Sequence, residues 1–354
     1  MELTPDQRAL RDAVRGLLTR HQDDDSVVWG RLCREIGVAG LAIPQRYGGS
    51  GAGPVETHIV MEELGRHLTA TSMLGSAVLS AHAVLAAGDD EAARRLLPGL
   101  AAGTTTAALA WTGPAGAWDP AGVACRVSAE TPAAAAITGE AHYVLDGAEA
   151  DVLLVAAAGP DGIGLWEVDP AQPGVRRTAV TTMDQTRRLA TVAFDAVPGR
   201  RLGQRLDLAQ VRDLACVALS AEQVGAARQA LDLTVAYTQV REQFGRVIGS
   251  FQGLQHRLAD LHVLIASARS LSYAAAEAAA DGAPDVGLRA AAARASCCEA
   301  LSRAAAEMIQ MHGAIGITWE HDAHRYFKRA HGDSQLLGSP AAHVARIAAA
   351  LLDG

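Results

Sequence analysis

Residues 142–159 read HYVLDGAEADVLLVAAAG. Short runs of β-branched and aliphatic residues are punctuated there by Asp and Gly, the pattern of strand, turn and strand. The same texture extends both ways. TTTAALAW, VACRVSA, AAAAITG, GIGLWEV, GVRRTAV and LATVAFDAV are short, alternating or β-branched, with Gly, Pro and Asp between them. The spacing predicts an antiparallel sheet rather than βαβ units, over residues 103–203, ending near PGRRLG at 198–203.

Helical periods lie on both sides. TPDQRALRDAVRGLLTRH, 4–21, offers Thr4 as N-cap, Pro5 at the first helical position and apolar residues at Leu10, Val14, Leu17 and Leu18. Residues 55–69, 76–87 and 90–100 repeat that spacing. Beyond about 205 the periods lengthen: Phe251, Leu254, Leu258, Leu261, Leu264, Ala268 and Leu271 form one stripe. The expected class is α+β in three parts. Residues 1–102 form an N-terminal helical domain, 103–203 a central antiparallel, barrel-like β domain, and 204–354 a C-terminal four-helix bundle.

Composition excludes several functions. The chain has 354 residues, 49% hydrophobic and 20% charged, with a net charge of −8. Nucleic-acid binding needs a basic face, which this balance disfavours. Lys328 is the only lysine, so Schiff-base chemistry has one candidate. The five cysteines (Cys33, Cys125, Cys216, Cys297, Cys298) include no CxxC pair and read as reduced thiols of a cytoplasmic protein. No leader pattern opens the sequence, and no run is long and apolar enough to suggest a membrane span.

Four motifs invite chemistry. GGSGAG, 48–53, lacks the GxGxxG spacing and a βαβ context, so it reads as a Gly-rich turn. His312, His321, Asp322 and His324 show no metal-ligand spacing, and no metal site is expected. In REQFGRVIGSFQ, 241–252, the permanent cation Arg241 beside a Phe-Gly turn suits a diphosphate, or else caps helix carbonyls. In QMHGAIG, 310–316, Gly313 and Gly316 allow close backbone approach to a ligand, or simply end a helix.

Taken together, over essentially the whole chain, these segments resemble the acyl-CoA dehydrogenase family. GLAIPQRYGGSGAGPVETHIVMEELGRHL (40–68) is similar to the family's GLAIPEEYGGxG…EELGR block. ALAWTGPAGAW (108–118) sits where the family has its flavin-contacting TEP strand. ITGEAHYVLDGAEADVLLV (137–155) resembles LxGxKxWItNgxxAdxxLV, and residues 221–261 and 310–330 carry the most specific likeness. The resemblance implies FAD held across a dimer interface. Arg241, Phe244, Gln252, Gln310 and Gly313 would contact the FAD of a neighbouring subunit. Leu109, Trp111 and Thr112 would face the isoalloxazine, Thr112 as a hydrogen-bond donor. Tyr143 would replace the usual stacking Trp, and Ser339 would supply a nearby hydroxyl.

The implied reaction is α,β-dehydrogenation of an acyl-CoA thioester, in which a carboxylate removes the α-proton. Here the pattern breaks. The family's usual Glu position is Leu337, the alternate position is Ala215, the TEP Glu is Gly113, and the Thr that bonds the flavin is Leu145. Short members with an apolar residue at the Glu position resemble partner subunits in bacterial sterol and fatty acid breakdown. One reading is therefore a subunit of a heteromeric acyl-CoA dehydrogenase, a dimer of dimers in which a related chain supplies the Glu. A second is a self-sufficient dehydrogenase with Asp333 or Glu222 as relocated base. A third is a flavin monooxygenase, or a non-catalytic interaction subunit, on the same fold. The resemblance also implies an electron-transfer flavoprotein as a partner. A Leu337→Glu variant that gained activity would show that the geometry is otherwise intact.

Overall fold

The computed structural model describes residues 2–21, 25–128 and 135–352. Parts of the segments VACRVSA and AAAAITG, residues 129 and 133–134, lie outside them.

The N-terminal part is helical: α1 (Pro5–Arg20), α2 (Asp25–Arg31), α3 (Pro54–His67), α4 (Ala81–Ala86) and α5 (Asp90–Ala102). Thr4 caps α1 as the spacing predicts. Its hydroxyl accepts from the Gln7 backbone N–H, and the Gln7 side chain accepts from the Thr4 N–H, a reciprocal capping box. Val14, Leu17 and Leu18 are buried beneath it. Thr4→Ala should lower stability by about 1 kcal/mol, read as a shift in urea midpoint at unchanged m-value.

Eight strands form one sheet: β1 (Ala107–Ala110), β2 (Cys125–Val127), β3 (Ala136–Leu145), β4 (Val152–Gly159), β5 (Gly162–Val168), β6 (Val175–Val180), β7 (Leu189–Pro198) and β8 (Arg200–Leu202). Two features differ from the expected antiparallel barrel. The order β6-β7-β3-β2-β4-β5-β8 is open among the described residues, and β4 pairs in parallel with both β1 and β2. Alternation reports which face a residue takes, whereas the partner of a strand is set by non-local contacts that no local period records.

Alternation along the central strands divides them between two cores. Leu154 and Ala156 of β4 and Leu109 of β1 join the helical core, while Leu153, Val155 and Ala157 with Ala108 and Ala110 join the core on the other face. The sheet is thus covered on both sides, which is why DVLLVAAAG reads as nearly continuous apolar sequence.

Five helices follow: α6 (Leu208–Val240), α7 (Gln252–Ala280), α8 (Val286–His312), α9 (Ala323–Asp333) and α10 (Pro340–Leu352). The C-terminal part has three long helices and two short ones, with the tight turn Gly313–Ile317 between α8 and α9. The buried stripe of α7 runs through Leu261, Ile265, Ala268, Ser272 and Ala276, leaving Leu271, which the simple spacing had placed inside, exposed.

Helix α3 meets α6 at two glycines. A Cβ at Gly65 would stand 1.9 Å from the Glu222 carbonyl oxygen, and one at Gly225 would stand 1.8 Å from that of Glu62. Only backbone-to-backbone contact fits there, and it fixes the height of Glu222 in the interior. Gly225→Ala should therefore destabilise by at least about 1–3 kcal/mol, measured by thermal unfolding, although alanine is the better helix former.

Candidate functional site

A β-bulge builds one wall of the principal cleft. Between Ala141 and Val144, β3 carries one residue more than β7 opposite it. Tyr143 sits in that bulge at φ +55°, and its ring is turned out of the sheet, 40% exposed. The phenol donates to the Pro114 carbonyl (3.0 Å), tying the bulge to the 112–118 loop. The cleft holds about 320 Å³ between Gly116, Trp118 and Tyr143 on the sheet side and His331, Gln335 and Leu336 on the helical side.

The other residues expected at a ring site take different places. Trp111 is buried, with its indole N–H donating to the Asp119 carbonyl (3.3 Å) and its ring edge-on to Trp118. Leu109 lies in the core. The Thr112 hydroxyl donates to the Ala117 carbonyl (2.6 Å), so that proton is engaged within its own loop. Ser339 caps α10 instead, its hydroxyl accepting from the Ala342 N–H (3.3 Å). Tyr143 is the one residue of this group that lines the cleft.

Behind the cleft lies an ion network that the sequence reading missed as a unit. Arg187 donates through Nη2 to both oxygens of Glu222 (3.0 Å each) and to Asp333 (2.9 Å). Arg329, 1% exposed, donates to Asp184 (2.9 Å), to Thr186 and to Glu222. Burial alone would raise the Glu222 pKa, but Arg187 and Arg329 outweigh it and hold the carboxyl below its usual range. Asp333 goes the other way. Burial pushes it up to about 6, only partly opposed by Arg187 and reinforced by the Glu222 charge. The ion-pair partner of Asp333 is Arg187, and Arg329 also lies close enough to act on its charge. Neither base candidate is open: Asp333 is fully buried and Glu222 nearly so, each locked to a guanidinium.

The segment after α9 is apolar for a structural reason. Arg294, fully buried, donates to the carbonyls of Asp333 and Leu336 (2.7 Å for the latter) and pins the turn. Leu337 follows at φ +59°, fully buried, in the same core as Ala215 and Cys216. Its carbonyl accepts from His343 Nε2–H (3.1 Å). Burial, with Arg294 and Arg346 nearby, lowers the His343 pKa to about 4; burial lowers that of His58, which meets Ser272 at 2.8 Å, to about 4 as well.

Folded pKa values below the unfolded one near 6.5 give stability that is present above pH 6.5 and lost as pH falls towards 4. Asp333 acts oppositely, its raised pKa favouring the fold as pH drops through about 6. His343→Gln should therefore flatten the loss of stability between pH 6.5 and 4, by up to about 3 kcal/mol, in urea titrations across that range.

A second surface lies at the far end of the bundle. Strands β9 (Glu242–Gln243) and β10 (Arg246–Val247) make a hairpin whose two turn residues, Phe244 and Gly245, both have positive φ (54° and 77°). A bulky residue is disfavoured in that turn, yet Phe244 occupies it and is 92% exposed. Phe244 and Gln310 share a recess of about 290 Å³ with Phe251, Leu254 and Arg257. Arg241 ends α6, Gln252 opens α7, and Gly313 ends α8 at φ +63° with open space where a side chain would stand. These residues are all exposed. Among the described residues, no cluster of three or more His, Cys, Asp or Glu has metal-binding geometry.

Two helical parts thus flank the sheet, and Tyr143 faces the end of α9 across the cleft. Residues 4–104 match the family model described as acyl-CoA dehydrogenase, N-terminal domain, and residues 213–352 match acyl-CoA dehydrogenase, C-terminal domain. The chain belongs to the acyl-CoA dehydrogenase family, whose members are flavoprotein oxidoreductases. It is 36% identical over 362 residues to acyl-CoA dehydrogenase IpdE2 of Mycolicibacterium smegmatis, covering 98% of this chain and 99% of that one. It is 40% identical over 334 residues to IpdE2 of Mycobacterium tuberculosis, covering 93% and 87%. A chain in the crystal structure of the ChsE4–ChsE5 complex from Mycobacterium tuberculosis superposes with a TM-score of 0.91 at 26% identity, covering 100% and 99%.

Proposed function

We propose that the chain is one subunit of an FAD-dependent acyl-CoA dehydrogenase and that a related chain supplies the proton-abstracting Glu. The observation that carries this reading is the state of Leu337. The position where the family resemblance puts the base is apolar and fully buried, and so is the alternate position, Ala215. Asp333 and Glu222, the two candidates for a relocated base, are held by Arg187. A self-sufficient enzyme would have to break a buried ion pair to use either.

The exposed residues fit FAD. Gly313 leaves room for the diphosphate to approach the backbone, and Arg241 offers a permanent cation. Gln252 and Gln310 provide amides, and Phe244 an apolar wall that a second subunit would cover. Tyr143 would lie against the ring. Leu109, Trp111, Thr112 and Ser339 would act as support, holding the 112–118 loop and the turn before α10. FAD held by these residues would supply the hydride acceptor for the dehydrogenation. The likeness to a chain of a two-protein complex supports assembly with a related dehydrogenase chain; a dimer of dimers is the assembly we propose. An electron-transfer flavoprotein is a fitting acceptor. Free, buried cysteines fit the reducing cytoplasm, where we place the protein. Among the described residues no helix is long and apolar enough to cross a membrane.

Co-expression with the related chain tests the reading: flavin per chain should rise on assembly, and flavin retention equal with and without the partner contradicts it. Phe244→Ser should weaken FAD retention by the assembly more than tenfold, about 2 kcal/mol for a lost aromatic anchor, read by equilibrium dialysis.

A further inference from the structure

Strand β5 carries Gly162, Gly164 and Trp166 at alternate positions, so all three take one face of the sheet. Trp166 joins the core on that face, the one opposite the helical core. Across from it on β8 stands Arg201, its guanidinium 5.8 Å from the indole ring. Where the two glycines bring no side chains, a recess of about 120 Å³ opens between Ala157, Trp166 and Arg201. It shares no lining residue with the 320 Å³ cleft.

Two donors at this recess have no partner among the described residues: the Trp166 indole N–H and the Arg201 Nε–H, both buried. Trp166 is only 4% exposed. A Cβ on Gly164 would stand 3.3 Å from Trp166 Nε1 and 3.7 Å from Arg201 Nε, so both nitrogens border the same space, which glycine leaves open. The rest of the guanidinium is engaged. Nη2 donates to the Gln204 carbonyl (2.7 Å), and Nη1 stands 3.5 Å from Asp161. Buried donors are almost always paired in native proteins, and an unpaired one is costly. Indole and guanidinium only donate, so the missing partner is an acceptor. Asp161 is 77% exposed, and a pair at that distance offsets the Arg201 charge weakly.

We propose that this recess binds a small organic carboxylate, of formate to propionate size, whose two oxygens accept from the Trp166 indole N–H and the Arg201 Nε–H. Two donors side by side suit the two oxygens of a carboxylate. One guanidinium, partly shared with Asp161, matches a monoanion and not a phosphate dianion. A water molecule could accept from both donors but would leave the guanidinium charge unmatched.

The test is ¹⁹F NMR of the full chain carrying 5-fluorotryptophan, titrated with sodium acetate at constant ionic strength. The Trp166 resonance is assigned by its loss in Trp166→Phe. It should move saturably, with half-saturation at about 1–10 mM. Acetamide, the neutral isostere, and chloride should leave it unmoved. Gly164→Ala places a methyl group between the donors and should weaken the acetate response at least about tenfold. Arg201→Gln makes the same comparison should the alanine variant not fold. A resonance that ignores acetate leaves water as the occupant and overturns the site. An equal response to chloride or acetamide overturns the assignment to a carboxylate, as does a folded Gly164→Ala chain that responds like the parent.

Discussion

Arg329→Met should remove about 3–5 kcal/mol of stability, enough to unfold a domain of ordinary stability at moderate temperature. Arg329 is 1% exposed, and its guanidinium is shared among Asp184, Glu222 and Thr186. Truncation leaves Asp184 with Thr186 alone and Glu222 with Arg187 alone, both in the interior. The loss reflects stranded charge rather than the net worth of the pairs, since a buried ion pair repays little more than its own desolvation. The control is Arg228→Ala, which breaks an exposed pair with Asp232 on α6 and should change stability by less than about 1 kcal/mol. Chemical denaturation of both variants at low and high salt makes the comparison. A loss under about 1 kcal/mol for Arg329→Met would show that the network holds nothing together.

Leu337→Glu is the second large effect, and its expected sign reverses once the burial is known. From sequence alone, restoring the family carboxylate looks like a route to activity. In the fold, Leu337 is fully buried beside Ala215 and Cys216, and no described recess is lined by it. A carboxylate there is desolvated, and the neighbouring Arg294 is already engaged by the Asp333 and Leu336 carbonyls. The variant should lose several kcal/mol at neutral pH and gain no dehydrogenation. Desolvation raises the folded pKa of the new carboxyl, so the destabilisation should be relieved as pH falls towards the ordinary glutamate range and grow as pH rises. Thermal unfolding at pH 5 and pH 8 reads that difference. A variant as stable as the parent at pH 8 would place residue 337 in an open pocket.

The division into helices, sheet and helices was legible because each part keeps its own period. The Thr4 N-cap and the run of strands from Ala107 to Leu202 followed from local rules. The parallel pairing of β1 and β2 with β4 was not legible, because pairing joins segments more than thirty residues apart. The helix end at Gly313 could be read because residue type and conformation agree there; Phe244, a bulky residue at positive φ, shows no such agreement. The ion network could not be read. Arg187, Glu222 and Arg329 look like ordinary surface charge in sequence and declare themselves only when three elements converge. One available signal was the Arg187-Arg188 pair standing between Asp184 and an alternating strand; it carries no period and no spacing rule.

Flavin bleaching by an acyl-CoA, under anaerobic conditions, tests the central claim most directly. The chain alone, supplied with FAD, should leave the flavin oxidised when octanoyl-CoA or a bulkier acyl thioester is added. The assembly with its related chain should bleach, and should cease to do so when the partner's catalytic Glu is replaced by Gln. Bleaching by the isolated chain would contradict the account, because it requires a base that neither Leu337, Ala215 nor the locked Asp333 and Glu222 provides.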